Sequence, residues 1–428
     1  MKLKKYLFET AKYALRSYPI IRPYVKRIDR LYSMSQQEIT EYNNRKFVDL
    51  VNLAYNKSPF YRRLYDENGV DINAIKSIGD INKLPIIDKK IVRENAEKIA
   101  IGNKRFLLKA ATSGTTGEPL TIFQSYKTIL LNRAYGYKYK SMCGFNSGEK
   151  LLSLRGHLDS KIFKLKLPIG HILFLSSYQL RKEKAIDYYN EISKFAPKAI
   201  EGYPSSVYNL CCLLKEAGLT LNIPLCFTSS ETLYDFQRHL FKEVLNCETF
   251  DIYGCTENTM SLYEDFKHNG YFEGPGYSYN EYFDNYTVTT SFINPRFPLI
   301  RYKVNDSISL KPDFVKHSAI DSNIKTVNGR TDSTIITRNG ALIGRLNFLF
   351  KNVNYIKLGQ IVQRRQGEIE INIVPDGPFG DTEKSQIMKH IDERIGLHNI
   401  EATINIVTND KIIYTKRNKF NQVVKINS

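Results

Sequence analysis

Four short stretches of this chain bring hydroxyls, carboxylates and glycines together at spacings that suit a nucleotide. Residues 111–119, Ala-Thr-Ser-Gly-Thr-Thr-Gly-Glu-Pro, set the hydroxyls of Thr112, Ser113, Thr115 and Thr116 beside Gly114 and Gly117. Glycine allows tight turning and close backbone approach, and exposed N–H groups with hydroxyls suit polyphosphate oxygens. The stretch lacks the lysine of a GxxxxGK[ST] loop, and taken alone it reads equally as a structural turn. In Asp251-Ile252-Tyr253-Gly254-Cys255-Thr256-Glu257, a ring, a hydroxyl and a carboxylate can stack on a base, touch a phosphate and hold Mg²⁺. A plain β-turn with a solvated Glu257 accounts for the same residues. Asp306 ends the run from Phe297 and can accept from ribose hydroxyls or cap a turn. Asn328-Gly329-Arg330-Thr331-Asp332 offers a guanidinium to a phosphate or ribose, or is a surface linker.

The elements that must position these residues follow from periodicity. From Lys198 onward, AIEGY reads as a strand, PSSVYNLCCLLKEAG as a helix opened by Pro204 and stopped by Gly218, and IPLCFTSS as a strand. ETLYDFQRHLFKEVLN is a second helix and ETFDIYG a third strand. Strand–helix alternation at this spacing builds parallel βαβ units, whose ligands gather at the carboxyl ends of the strands. After about residue 330 the texture changes. STIITRNGALI carries a hairpin signal at Asn339-Gly340, EIEINIVPDG and IEATINIV alternate strictly, and TEKSQIMKHIDERIG is a helix ending at Gly396. The fold class expected is α/β: a large body with a parallel βαβ sheet, plus a small, mobile α+β C-terminal domain. The expected divisions are a basic helical segment at 1–31, a body at 32–329 and the small domain at 330–428.

The order of the pieces, TSGTTGEP, GYPSS, SSETL, YGCTE, PLIRYKVND and NGRTD, resembles the adenylate-forming superfamily, which includes acyl-CoA synthetases and luciferase. The likeness is strongest to its phenylacetate–CoA ligase and CapK-like capsular polysaccharide branch. The stretch AYNKSPFYRRLYDENGVDINAIKSIGDINKLPIIDKKIVREN is similar to that branch's N-terminal region, so the resemblance runs from about residue 50 to the C-terminus. It implies an AMP-binding body and a C-terminal lid. Thr112, Ser113, Gly114, Thr115, Thr116 and Gly117 would close over the β- and γ-phosphates of ATP. Tyr253, next to Gly254, would stack on adenine, with Ser230 and Glu231 along its ring. Thr256 would bond the α-phosphate and Glu257 would hold Mg²⁺. Asp306 would bind the ribose hydroxyls, with Arg330 close by. Gly202, Tyr203, Pro204 and Ser205 would wall the acyl pocket from the nucleotide. The segment Lys416-Arg417-Asn418-Lys419-Phe420 matches the family's Gly-Lys, making Lys419 the catalytic lysine. The implied reaction is ATP-dependent activation of a carboxylate as acyl-AMP, with pyrophosphate released. The acyl group then passes to CoA or to an amine or hydroxyl, in capsule or surface polysaccharide biosynthesis. Three residues depart from the family pattern: Asn305 and Asn418 replace glycines, and Ser333 replaces the second Asp of GRxDD. The departures bear chiefly on the hinge and hence on the second half-reaction. The seven histidines find no partners by spacing, and His157 alone lies where the acyl pocket is expected.

Composition bounds what remains. The chain has 428 residues, 42% hydrophobic and 25% charged, which excludes a disordered, fibrous or disulfide-stapled protein. No run approaches the roughly 18 apolar residues of a membrane span, and the N-terminus lacks the apolar core of a secretory signal. The six cysteines show no CxxC pair, so reduced thiols and a cytoplasmic setting are expected. The net charge of +18 is concentrated at residues 1–30, where nine Lys/Arg meet only Glu9 and Asp29. Leu3, Leu7, Phe8, Ala11 and Leu15 can share one helical face there, before Pro19 and Pro23 break the pattern. The segment reads either as a helix docked on the body or as one lying on an anionic membrane. Small-molecule carboxylate and acyl acceptor are the expected partners, and a homodimer occurs in the phenylacetate–CoA ligase branch. No zinc-finger spacing or RNP-like motif supports nucleic-acid binding. The alternative function is a catalytically silent nucleotide-binding scaffold of the same fold in a polysaccharide assembly complex. Intact Glu257, Asp306, Arg330 and Lys419 stand against it.

Overall fold

Apolar side chains on successive strand positions point to opposite faces of the central sheet, and both faces are covered. The computed structural model describes all residues except 1, 112–119, 155–162, 168–170, 178, 179, 181, 232, 234, 285, 305, 313–322, 331–334, 339–341, 344, 345, 351, 352, 415–419, 427 and 428. Leu151, Ile172, Phe174, Ala199, Leu225, Phe227 and Phe250 meet the helices Tyr18–Tyr32 and Tyr126–Met142 on one face. Leu152, Leu154, Leu173, Leu175, Ile200 and Cys226 meet Ala185–Phe195, Pro204–Glu216 and Asp235–Leu245 on the other. This two-sided burial is what near-continuous apolar parallel strands require.

Ten strands form the sheet, in the spatial order Asp306–Leu310, Ile324–Arg330, Tyr271–Glu273, Ser261–Glu264, Glu248–Gly254, Leu225–Ser229, Ala199–Gly202, Leu151–Leu154, Ile172–Leu175 and Lys164–Leu167. The run from Glu248–Gly254 to Ile172–Leu175 is parallel throughout. The strands beyond each end of that run are antiparallel. The expected βαβ units are therefore present, with helices Pro204–Glu216 and Asp235–Leu245 as the crossovers. A second core joins the helices Gln36–Lys57, Pro59–Glu67 and Lys89–Ile99 to Leu120, Ile122, Phe123, Phe297 and Tyr302.

A smaller α+β unit follows with its own core. Its sheet runs Glu401–Ile406, Glu368–Pro375, Ile356–Arg365, Val423–Lys425, and Ile361, Ile369, Ile371 and Ile373 pack on Ile387 and Ile391 of the helix Asp381–Arg394. Gly396 (φ 82°) ends that helix in the left-handed conformation glycine favours, its N–H returning to the Ile391 carbonyl. Ile335–Ile336 pairs antiparallel with Leu342–Ile343, while the Asn339-Gly340 turn expected between them lies outside the described residues.

The N-terminus differs from the sequence reading. Pro19 does not end the helical pattern: a first helix, Lys2–Ala14, stops before it, and a second, Tyr18–Tyr32, starts with it. Proline suits the first turn because its missing N–H would have no partner there. Pro23 stands inside the second helix, where it forgoes the bond to the Pro19 carbonyl, and Ile21, Val25, Ile28 and Leu31 are buried. No helix among the described residues is long and apolar enough to cross a membrane.

Candidate active site

The parallel strands end together, so Gly202, Ser229 and Gly254 bring their following loops to one edge of the sheet. Gly202 is required by space. A Cβ there would stand 2.9 Å from the Leu154 carbonyl oxygen and 3.0 Å from Val207 Cγ2. Tyr203 and Pro204 follow at once, Pro204 opening the helix as its first residue. Ser205 is in that helix, and its side chain lies outside the description. Ser230 holds φ 71° just past its strand, while Asn258 and Arg301 hold 55° and 48°. Left-handed non-glycine residues cost energy and persist where surrounding contacts enforce them.

Two carboxylates stand here. Asp306 is buried, and the Tyr253 hydroxyl donates to its Oδ2. Burial and the neighbouring Asp306 carboxylate both raise the Tyr253 pKa, so the phenol keeps its proton. In the antiparallel register Asp306 lies opposite Arg330, whose backbone is described and whose side chain is not. Glu257 is also buried, with the Tyr302 hydroxyl 3.4 Å from its Oε1. Gln124 Nε2 donates to the Thr256 carbonyl (3.3 Å), linking the Thr121–Gln124 strand to the turn that carries Thr256 and Glu257. Cys255, between Tyr253 and Glu257, is no nucleophile: burial pushes its thiol up to about 11.

Sequence reasoning missed the supports. Arg301 donates to both oxygens of buried Glu281 (3.1 and 2.8 Å) and to the Leu84 carbonyl (2.7 Å), fixing the segment that carries Tyr302 and leads to Asp306. Behind Gly202, Glu201 accepts from Lys140 and from Ser153 (3.1 Å). The partners in both clusters come from distant parts of the chain, so no local pattern announces them. Thr112–Gly117, His157, Asn305, Ser333, Asn418 and Lys419 lie outside the described residues. The strands Leu108–Ala111 and Thr121–Gln124, which flank the first of these, pair with Ala111 opposite Thr121. Ser230 and Glu231 are at the carboxyl end of Leu225–Ser229, next to the Tyr253 strand.

Residues 335–426 match the CapK C-terminal domain. Protein CapK of Staphylococcus aureus is 24% identical over 387 residues, covering 86% of this chain and 84% of that one. Phenylacetate-coenzyme A ligase of Thermus thermophilus is 21% identical over 401 residues, covering 82% and 84%. These likenesses support the CapK and phenylacetate–CoA ligase branch of the adenylate-forming superfamily. The chain's fold is that of 2-hydroxyisobutyryl-CoA ligase in the postadenylation state in complex with R3-HIB-AMP. The match has a TM-score of 0.72 at 15% identity and covers 93% of this chain and 92% of that one. In the present chain Asp306 and Arg330 lie on paired strands. The Tyr253 hydroxyl reaches Asp306 from a strand further into the sheet, separated from those two by Ser261–Glu264 and Tyr271–Glu273, and Glu257 follows three residues past the end of the Tyr253 strand.

Proposed function

We propose that this chain is an ATP-dependent ligase that activates a carboxylic acid as its acyl-adenylate, releases pyrophosphate, and hands the acyl group to a second nucleophile. The observation that carries the reading is that the Tyr253 hydroxyl, near the carboxyl end of a parallel strand, donates to buried Asp306, with Glu257 three residues past that strand and the Arg330 backbone opposite Asp306 in register.

The division of labour follows from the chemistry of each group. Asp306 accepts from the two ribose hydroxyls, while Tyr253 holds its carboxylate by one oxygen and offers a ring to adenine. Ser230 and Glu231 line the base, and Arg330 reaches ribose and phosphate. The hydroxyls and backbone N–H groups of Thr112–Gly117 take the β- and γ-phosphates. Gly202, Tyr203, Pro204 and Ser205 separate nucleotide from acyl group. A single buried carboxylate with phosphate oxygens and water is the donor set Mg²⁺ prefers, so Glu257 fits that ion. Bound there, Mg²⁺ supplies charge neutralisation on the phosphates. In the first step the substrate carboxylate oxygen bonds to the α-phosphorus and the bond to pyrophosphate breaks. Thr256 and Lys419 stabilise the negative charge shared by the α-phosphate and the approaching carboxylate. In the second, a thiol such as that of CoA, an amine or a hydroxyl adds to the acyl carbon. AMP leaves and the nucleophile gives up its proton.

The resemblance to the capsular polysaccharide branch is the ground for an acceptor in surface polysaccharide assembly, and the likeness to phenylacetate-coenzyme A ligase supports CoA. Carboxylate-dependent pyrophosphate release tests the reading, using Mg·ATP with pooled aromatic, fatty, amino and sugar acids. Wild type should release pyrophosphate with one pool. Lys419→Ala should abolish release while leaving ATP affinity nearly intact. Absence of ATP binding in the wild type overturns the proposal.

A further inference from the structure

The helix Lys2–Ala14 is attached to the body by the side opposite its aliphatic stripe. Tyr6 and Tyr13 pack on the core, and the Tyr13 ring meets Phe174 edge-on at 5.5 Å. The Arg133 guanidinium stacks over Tyr13 at 5.1 Å, and its Nε donates to the Arg16 carbonyl (2.6 Å). The Tyr126 hydroxyl donates to the Leu15 carbonyl. With the tyrosines turned inward, Leu7 (56% exposed), Phe8 (66%) and Leu15 (56%) face solvent, and Ile20 (43%) of the next helix does the same. Positions 7, 8, 11 and 15 are one helical face. Globular packing puts such a stripe inside and amphipathic tyrosines at the rim, and here the arrangement is reversed.

We propose that this face seats the protein on an anionic lipid surface, with Leu7, Phe8, Leu15 and Ile20 entering the headgroup boundary. Charge selects the occupant. Residues 1–30 carry nine Lys/Arg against two acids. Of those acids, Asp29 is engaged by Lys138 at 2.7 Å. Arg22 and Lys26 of the second helix are exposed. An apolar stripe with a cationic surround matches acyl chains beneath anionic headgroups. The docking reading describes the tyrosine side of this helix, and the membrane reading is proposed for the opposite side. The inference stands apart from the proposed chemistry, and its test needs no substrate.

The full-length protein is sedimented with phosphatidylcholine vesicles and with vesicles containing 30% phosphatidylglycerol. Binding should be at least ~10-fold stronger with the anionic lipid and should weaken markedly in 0.5 M salt. Leu7→Asp/Phe8→Asp should lower binding ~10-fold or more while its melting temperature and its ATP affinity stay at wild type. Arg22→Glu/Lys26→Glu keeps the apolar stripe intact, and it should lose the preference for anionic vesicles. The proposal is overturned by absence of binding, or by equal binding to both vesicle types. A concentration-dependent dimer that Phe8→Asp dissolves would also overturn it, because a second copy would then cover the face.

Discussion

The Tyr253 hydroxyl donates to the Asp306 carboxylate, joining the end of a core strand to one that begins 53 residues later. That bond uses one carboxylate oxygen and ties Asp306 to the strand whose end lies beside those of Gly202 and Ser229.

Asp306→Ala should therefore cost about 3 kcal/mol in kcat/KM for ATP, roughly 100-fold, from two charge-assisted hydrogen bonds lost. The loss should fall mainly on the KM for ATP, because the ribose contact is the same in ground and transition states. Pyrophosphate exchange against ATP concentration measures it, and an unchanged KM removes Asp306 from the nucleotide site.

Glu257→Gln keeps the shape and the Tyr302 contact but removes the charge. It should raise the Mg²⁺ concentration needed for half-maximal exchange by ~10-fold or more, with carboxylate affinity little altered. A normal metal titration in the variant would place the ion elsewhere.

The body of the fold was legible because its strands and helices obey short-range rules. IPLCFTSS and ETFDIYG are apolar runs of strand length, and the helix before the first of them opens on Pro204 and is stopped by Gly218. The candidate site rests on the order of its motifs. Each motif alone also describes a turn, and the Asp306–Arg330 register is a pairing no local spacing contains. Pro19 was misread because a helix breaker and a helix starter are the same residue in different positions. The outward stripe of the first helix was predicted as a face, but its direction depends on Tyr13 finding Phe174, far away in sequence.

Arg301 and Glu281 form a buried, two-pronged ion pair under the site. Arg301→Met should destabilise the fold by about 3–5 kcal/mol in denaturant titration, since it leaves Glu281 buried and uncompensated. Adding Glu281→Leu should recover much of that loss, because two apolar groups need no pairing. A single-variant loss below about 1 kcal/mol would show that Glu281 finds another partner.

Asp251 gives the pH dependence of the fold. It is buried between the Thr228 hydroxyl (2.6 Å) and the Tyr271 hydroxyl (2.9 Å), and its own N–H donates to Glu264 (2.7 Å), which Arg238 and His268 also face. Burial pushes its carboxyl up to about 6 from 3.8, a rise that the Thr228 bond opposes and the Glu264 charge assists. A raised folded-state value means that the folded chain holds a proton the unfolded chain has released. The associated stability is full below about pH 4 and is lost as pH climbs through about 6. Asp251→Asn removes this titration while keeping an acceptor for Thr228. The stability of wild type minus variant should fall by up to roughly 3 kcal/mol between pH 4 and 7 and stay flat above, since each tenfold difference in proton affinity is worth ~1.4 kcal/mol. Taking the difference cancels the contributions common to both proteins and isolates Asp251. Parallel stability curves across that window would mean that Asp251 is ionised in the folded chain throughout, with its two hydroxyl donors outweighing burial.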